Sequence, residues 1–178
     1  MKPLRLVCAV AALLSSSALF AQAAPAAQPS GPAAEVLAAY NRVKPNILKA
    51  AEKMPADAYS YKPEPDIRTF ARVVNHVTEA QLRVCAALNG TPVDPKAVPP
   101  ETADKDTIVA ALKASFAECD KAYAALTDGT LVNVVSMGPI SRSRIGLAWG
   151  NVSHDNEQYA TLALYLRLKG LVPPSSEK

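Results

Sequence analysis

The stretch TFARVVNHVTEAQLRVCAALNG, residues 69–90, decides the fold. Phe70, Val73, Val74, Val77, Gln81, Val84 and Leu88 recur at the spacing of one helix face. Asn89-Gly90 then supplies a stop, because glycine takes the left-handed conformation that ends helices at little steric cost. The pattern predicts a helix from about Thr69 to Leu88. His76 sits beside its apolar stripe, near Val73 and Ala80.

Three more segments share the helical period. Val36, Leu37, Tyr40, Val43, Ile47, Leu48 and Ala51 mark a helix over about Ala34 to Met54, with a kink expected at Pro45, which lacks a backbone donor. Ile108, Leu112, Phe116, Cys119, Tyr123 and Leu126 mark another over about Asp106 to Leu126, with Asp106 or Thr107 as the expected cap. The last runs from about Ser143 to Lys169 and closes on Gly170 and Pro173-Pro174. Pro55, Pro63 and Pro65 break residues 55–68, where Tyr59 and Tyr61 are expected over one end of the fold. Residues 91–105 carry Pro92, Pro95, Pro99 and Pro100, and a connection this long suits a crossover rather than a tight turn. In the loop of residues 127–141 only 131–137 is strand-like. The expected architecture is all-α: a four-helix bundle with a long helix 2–3 crossover connection.

The ends do not belong to that bundle. Lys2 and Arg5 precede an apolar run from Leu6 to Phe20, and Ala21-Gln22-Ala23 has the small-x-small form of a signal peptidase site. Residues 1–23 are read as a cleaved signal peptide, with a periplasmic or secreted mature chain. Residues 24–34 are rich in Ala, Pro, Ser and Gly and read as a flexible tether. Residues 35–175 form the domain.

Of the 19 basic residues, Lys2 and Arg5 leave with the signal, so the mature chain is nearly balanced against 16 acidic residues. Nucleic-acid binding, which needs clustered basic charge, is not expected, and neither is a membrane-surface patch. Removing Cys8 leaves Cys85 and Cys119, both on expected helices. An oxidising compartment permits a disulfide between them.

His76 and His154 are the only two histidines. Metals in helix bundles are held by inward side chains of facing helices, and imidazole suits divalent ions such as Zn or Ni. Helical spacing adds Glu79 beside His76 as an auxiliary carboxylate ligand, and Gln158 one turn past His154. Asp155 reads as a solvated helix charge and Trp149 as a packed interior side chain. Tyr159 and Tyr165 are expected near the histidines. No G-x-S-x-G elbow, phosphate loop or H-E-x-x-H motif is present.

The segment from Asn151-Val-Ser-His154 through Tyr159 and on to Pro174 resembles the last helix of DinB-like proteins. Met54-Pro55, Tyr59 to Pro63, Arg68-Thr-Phe70 and Asn75-His76 resemble their connector and second helix. The resemblance covers about Ala34 to Ser175 and implies a four-helix bundle of a kind often described as candidate metalloenzymes. It implies a three-histidine metal site, of which His76 and His154 are present while Gln158 replaces the third imidazole. Glutamine offers only a neutral carbonyl oxygen. Homodimers are common among such bundles. Some relatives use low-molecular-weight thiols, which do not stay reduced outside the cytoplasm. Two expectations stay open: a weakened divalent metal site made by His76, His154 and Gln158, or a non-catalytic exported bundle that binds a small molecule or protein without metal.

Overall fold

The computed structural model describes residues 30–177. The signal segment and most of the tether lie outside the described residues. Helix α1 spans Pro32–Lys53, α2 Phe70–Asn89, α3 Lys105–Ala124 and α4 Arg144–Leu168. Single 3-10 turns, Ala56–Ala58 and Pro174–Ser176, punctuate the connections.

Residues 32–34, expected in the tether, are the first turn of α1. Pro32 has the fixed φ that suits a first helical residue. The Ala33 N–H donates to the Asp128 carboxylate at 2.9 Å, so a distant loop caps the helix. Gly31 is required there: its φ is +111°, and a Cβ would meet Asp128 Oδ2 at 2.2 Å. The helix continues without interruption through Pro45.

Thr69 Oγ1 accepts the Arg72 N–H and opens α2. Gly90, at φ +68°, closes it, and the Thr91 N–H returns to the Ala86 carbonyl at 2.9 Å. Helix α3 starts earlier than expected. Its cap is Asp104, which accepts the Thr107 N–H at 2.8 Å, and not Asp106 or Thr107. Asp106 already lies within the first turn, where its side chain cannot reach back over the free N–H groups. Ser143 caps α4 by accepting the Gly146 N–H.

The side-chain contacts fix the topology. Cys85 and Cys119, both toward the C-terminal ends of α2 and α3, lie at disulfide distance with Cα atoms 5.0 Å apart. The two helices are therefore parallel. Gln81 meets Asn151 and Asp155 while Tyr165 reaches back to Arg68, so α2 and α4 are antiparallel. Tyr40 meets Phe116 and Asp120 while Glu52 pairs with Lys113, so α1 and α3 are also antiparallel. A helix of α2's 20 residues is about 30 Å long. The connection of residues 90–104 must recover that length before α3 can begin parallel to α2, which explains its extent and its prolines.

One β-hairpin accompanies the bundle. Strand β1, Val134–Met137, pairs antiparallel with β2, Ile140–Ser143, around a tight turn at Gly138. It leads directly into α4 and lies against α2. No helix among the described residues is long and apolar enough to cross a membrane. The interior is built on large buried side chains, among them Tyr40 stacked on Tyr123 with centroids 4.1 Å apart. Tyr59 is buried at the connector, with its hydroxyl donating to the Ala51 carbonyl and its ring edge-on to Phe70.

Candidate functional site

The antiparallel pairing of α2 and α4 brings the two histidines together. His154 Nε2 and His76 Nε2 are 3.1 Å apart, and the rings meet edge to face. Both rings are part-buried. Burial holds the His76 pKa below the usual 6.5, helped by the positive charge of Arg68 and opposed by Glu79. Burial also lowers His154, and His76 adds to the effect. Both imidazoles are neutral at pH 7, the state that offers a lone pair to a metal.

Glu79 is held by Arg72 through two bonds of 2.8 and 3.1 Å. Its Oε2 lies 3.6 Å from His76 Nδ1, on the opposite side of the ring from His154. That carboxylate favours a proton on Nδ1 and leaves the His76 Nε2 lone pair free. In the metal-free pair, His154 Nε2–H then donates to His76 Nε2. His154 Nδ1 is buried and has no hydrogen-bond partner among the described residues. Gln158 lies one turn further on, 7 % exposed. No group of three or more His, Cys, Asp or Glu among the described residues is placed to hold a metal ion.

A layer of buried polar groups adjoins the histidines. Asp155 is fully buried, not solvated, and accepts two bonds from Gln81 Nε2 at 2.9 and 2.8 Å. Burial pushes its pKa up to about 7, and the Gln81 bonds pull the other way. Gln81 Oε1 accepts from Asn151 Nδ2 at 2.9 Å, and the same Nδ2 lies 3.3 Å from the Tyr123 hydroxyl. Tyr123 donates in turn to the Ala148 carbonyl. Gln81 Oε1 also lies 2.7 Å from Cys119 Sγ. A bridged sulfur carries no proton, so that contact is not a hydrogen bond.

Spacing alone marks this layer. Asn151, Asp155, Leu162 and Leu166 lie four, seven and four residues apart, so Asp155 shares the face of the buried leucines. Its charge hides that position. Trp149, expected inside, is 42 % exposed and lines a groove between α1 and α4 together with Tyr159. The outward face of α4 carries it because Ala148, its neighbour, takes the inward position. The Tyr159 hydroxyl bonds Ser175, and the Tyr165 hydroxyl donates to the Arg68 carbonyl.

A cavity of about 200 Å³ opens beside His154, between α2, α4 and the hairpin. Val84, Leu147, Met137 and Ile140 supply apolar walls, and Arg83 and Arg142 are its charged residues. Trp149, Tyr159 and Tyr165 take no part in it.

The family model of the DinB superfamily matches residues 39–162. The chain belongs to the DinB superfamily. Solved structures agree on the fold. A DinB-like protein from Bacillus subtilis is 19 % identical with a TM-score of 0.64, over 81 % of this chain and 99 % of its own. A DinB-like protein from Bacillus cereus is 17 % identical with a TM-score of 0.63, over 78 % and 93 %. A conserved protein from Enterococcus faecalis is 14 % identical with a TM-score of 0.64, over 79 % and 98 %. No curated protein matches this DinB superfamily chain.

Proposed function

We propose that this chain is an exported DinB superfamily protein with a low-affinity site for a divalent transition metal, Zn or Ni, between His76 and His154. The observation that carries this reading is the 3.1 Å separation of two neutral Nε2 atoms. Bonds of 2.0–2.1 Å to one ion would set two imidazole nitrogens roughly 3.0–3.4 Å apart. Glu79, 3.6 Å from Nδ1 on the far side of His76, favours the proton there by its charge and so leaves Nε2 as the free nitrogen, which is an orienting role rather than a ligand's.

Two features make the site weak. Gln158 stands where a third imidazole would bind and offers only an amide oxygen. A ligating His154 would carry its proton on Nδ1, and that buried atom has no acceptor. A bound ion would supply Lewis-acid chemistry.

Calorimetric titration of the purified protein with Zn and Ni tests the reading. Binding in the micromolar range is expected, lost in H76A and tightened at least tenfold in Q158H. Absence of binding up to about 100 µM, or binding that survives H76A, would sink it.

The same 3.1 Å contact supports a second reading, because a neutral imidazole pair satisfies itself with one N–H···N bond. In that case the chain is a metal-free, non-catalytic binding bundle. Export is part of either reading. Protein recovered from the periplasm should begin near Ala24, as intact mass will show.

A further inference from the structure

The cavity beside His154 has a chemistry of its own, independent of any metal. Two of its lining residues are cations and none is an anion. Arg83 on α2 and Arg142 on β2 are exposed at this opening, and neither forms an ion pair with a described residue. Unpaired guanidinium groups at an opening are suited to a carboxylate, which each can bind through two parallel N–H donors. Behind them the walls are aliphatic.

Asn151 and His154 complete the lining, and their unpartnered Oδ1 and Nδ1 atoms are buried away from solvent.

We propose that this cavity binds a small monocarboxylate with an apolar body. The carboxylate lies on Arg83 and Arg142, and the body lies against Val84 and Leu147. The size fits: about 200 Å³ exceeds the roughly 150 Å³ that takes up benzene in an engineered cavity.

The test uses 4-hydroxybenzoate as probe, with purified protein in EDTA, so that its outcome is separate from that of the metal reading. Saturable one-to-one binding with Kd below about 1 mM is expected by ligand-observed NMR and calorimetry. R142Q and R83Q should each weaken it at least fivefold, and 4-hydroxybenzamide should bind at least tenfold more weakly. Gly150→Leu should abolish binding without unfolding the protein, because a Cβ at Gly150 meets nothing within 4 Å and the position lines the cavity.

No saturation by 10 mM overturns the proposal. So does binding unchanged in both arginine variants, equal affinity for the amide, or displacement by equimolar inorganic phosphate, which marks a generic anion site.

Discussion

Asp155 shows how a single side chain can be misplaced by its chemistry and recovered by its position. Carboxylates are rarely buried without a partner, so the residue type argues for solvent. The helical phase argues for the interior, and the phase is right, because Gln81 meets both carboxylate oxygens. His76 and His154 were legible as a pair, since they are the only two histidines and each lies in a long helical segment. Their nitrogen-to-nitrogen contact was not, because it depends on how α2 and α4 are rotated against one another. The buried carboxylate should leave a mark on stability. In the folded chain Asp155 holds its proton up to about pH 7, against 3.8 when unfolded. Between those values the folded state binds more protons, so its contribution is full below pH 3.8 and is lost as pH rises through 7. The two histidines act in the opposite sense, with stability lost as pH falls below 6.5. Comparison with D155N isolates the carboxylate. Urea midpoints at pH 5 and pH 8.5 should show the wild type losing on the order of 2–3 kcal/mol relative to D155N over that interval. A difference that does not change with pH would mean that Asp155 ionises as freely as a surface residue.

At the level of elements, helix existence was legible and helix starts were less so. Apolar stripes in the first three segments, with glycine at the ends of α2 and α4, marked the bundle. The first turn of α1 was hidden because residues 32–34 carry a tether's composition, and its cap comes from Asp128, 95 residues away. The hairpin was only half visible. Its strands are four residues each and mostly exposed, so burial left little alternation to read. The α3 start offers a direct check. D104A removes the acceptor of the Thr107 N–H and should lower the urea midpoint measurably. D106A, lacking a capping bond, should change the midpoint by much less. Equal losses in the two variants would place the start of α3 wrongly.

For the whole molecule, the long second connection was legible as a crossover from its length and prolines alone. The pairing of helices was not, because periodicity says which face is buried but not against what. Cys85 and Cys119 supply that information once their proximity is known. They tie two parallel helices across a sequence separation of 34 residues. Closing a loop of that length stabilises the fold by about 3–4 kcal/mol through the unfolded chain. The C85A/C119A double variant should lose roughly that amount by urea denaturation while keeping its helical circular dichroism. A loss below about 1 kcal/mol would show that the two sulfurs are not bonded in the working protein.

The hairpin divides the labour of the chain in a way that bears on its evolution. The four helices supply the interior, while Met137, Ile140 and Arg142 form one wall of the cavity from a ten-residue hairpin with little interior of its own. Substitutions in that hairpin are released from the packing demands that constrain helix faces. A lineage can thus exchange what it recognises while inheriting the same scaffold, and divergence among descendants should concentrate in residues 134–143 before it reaches the bundle.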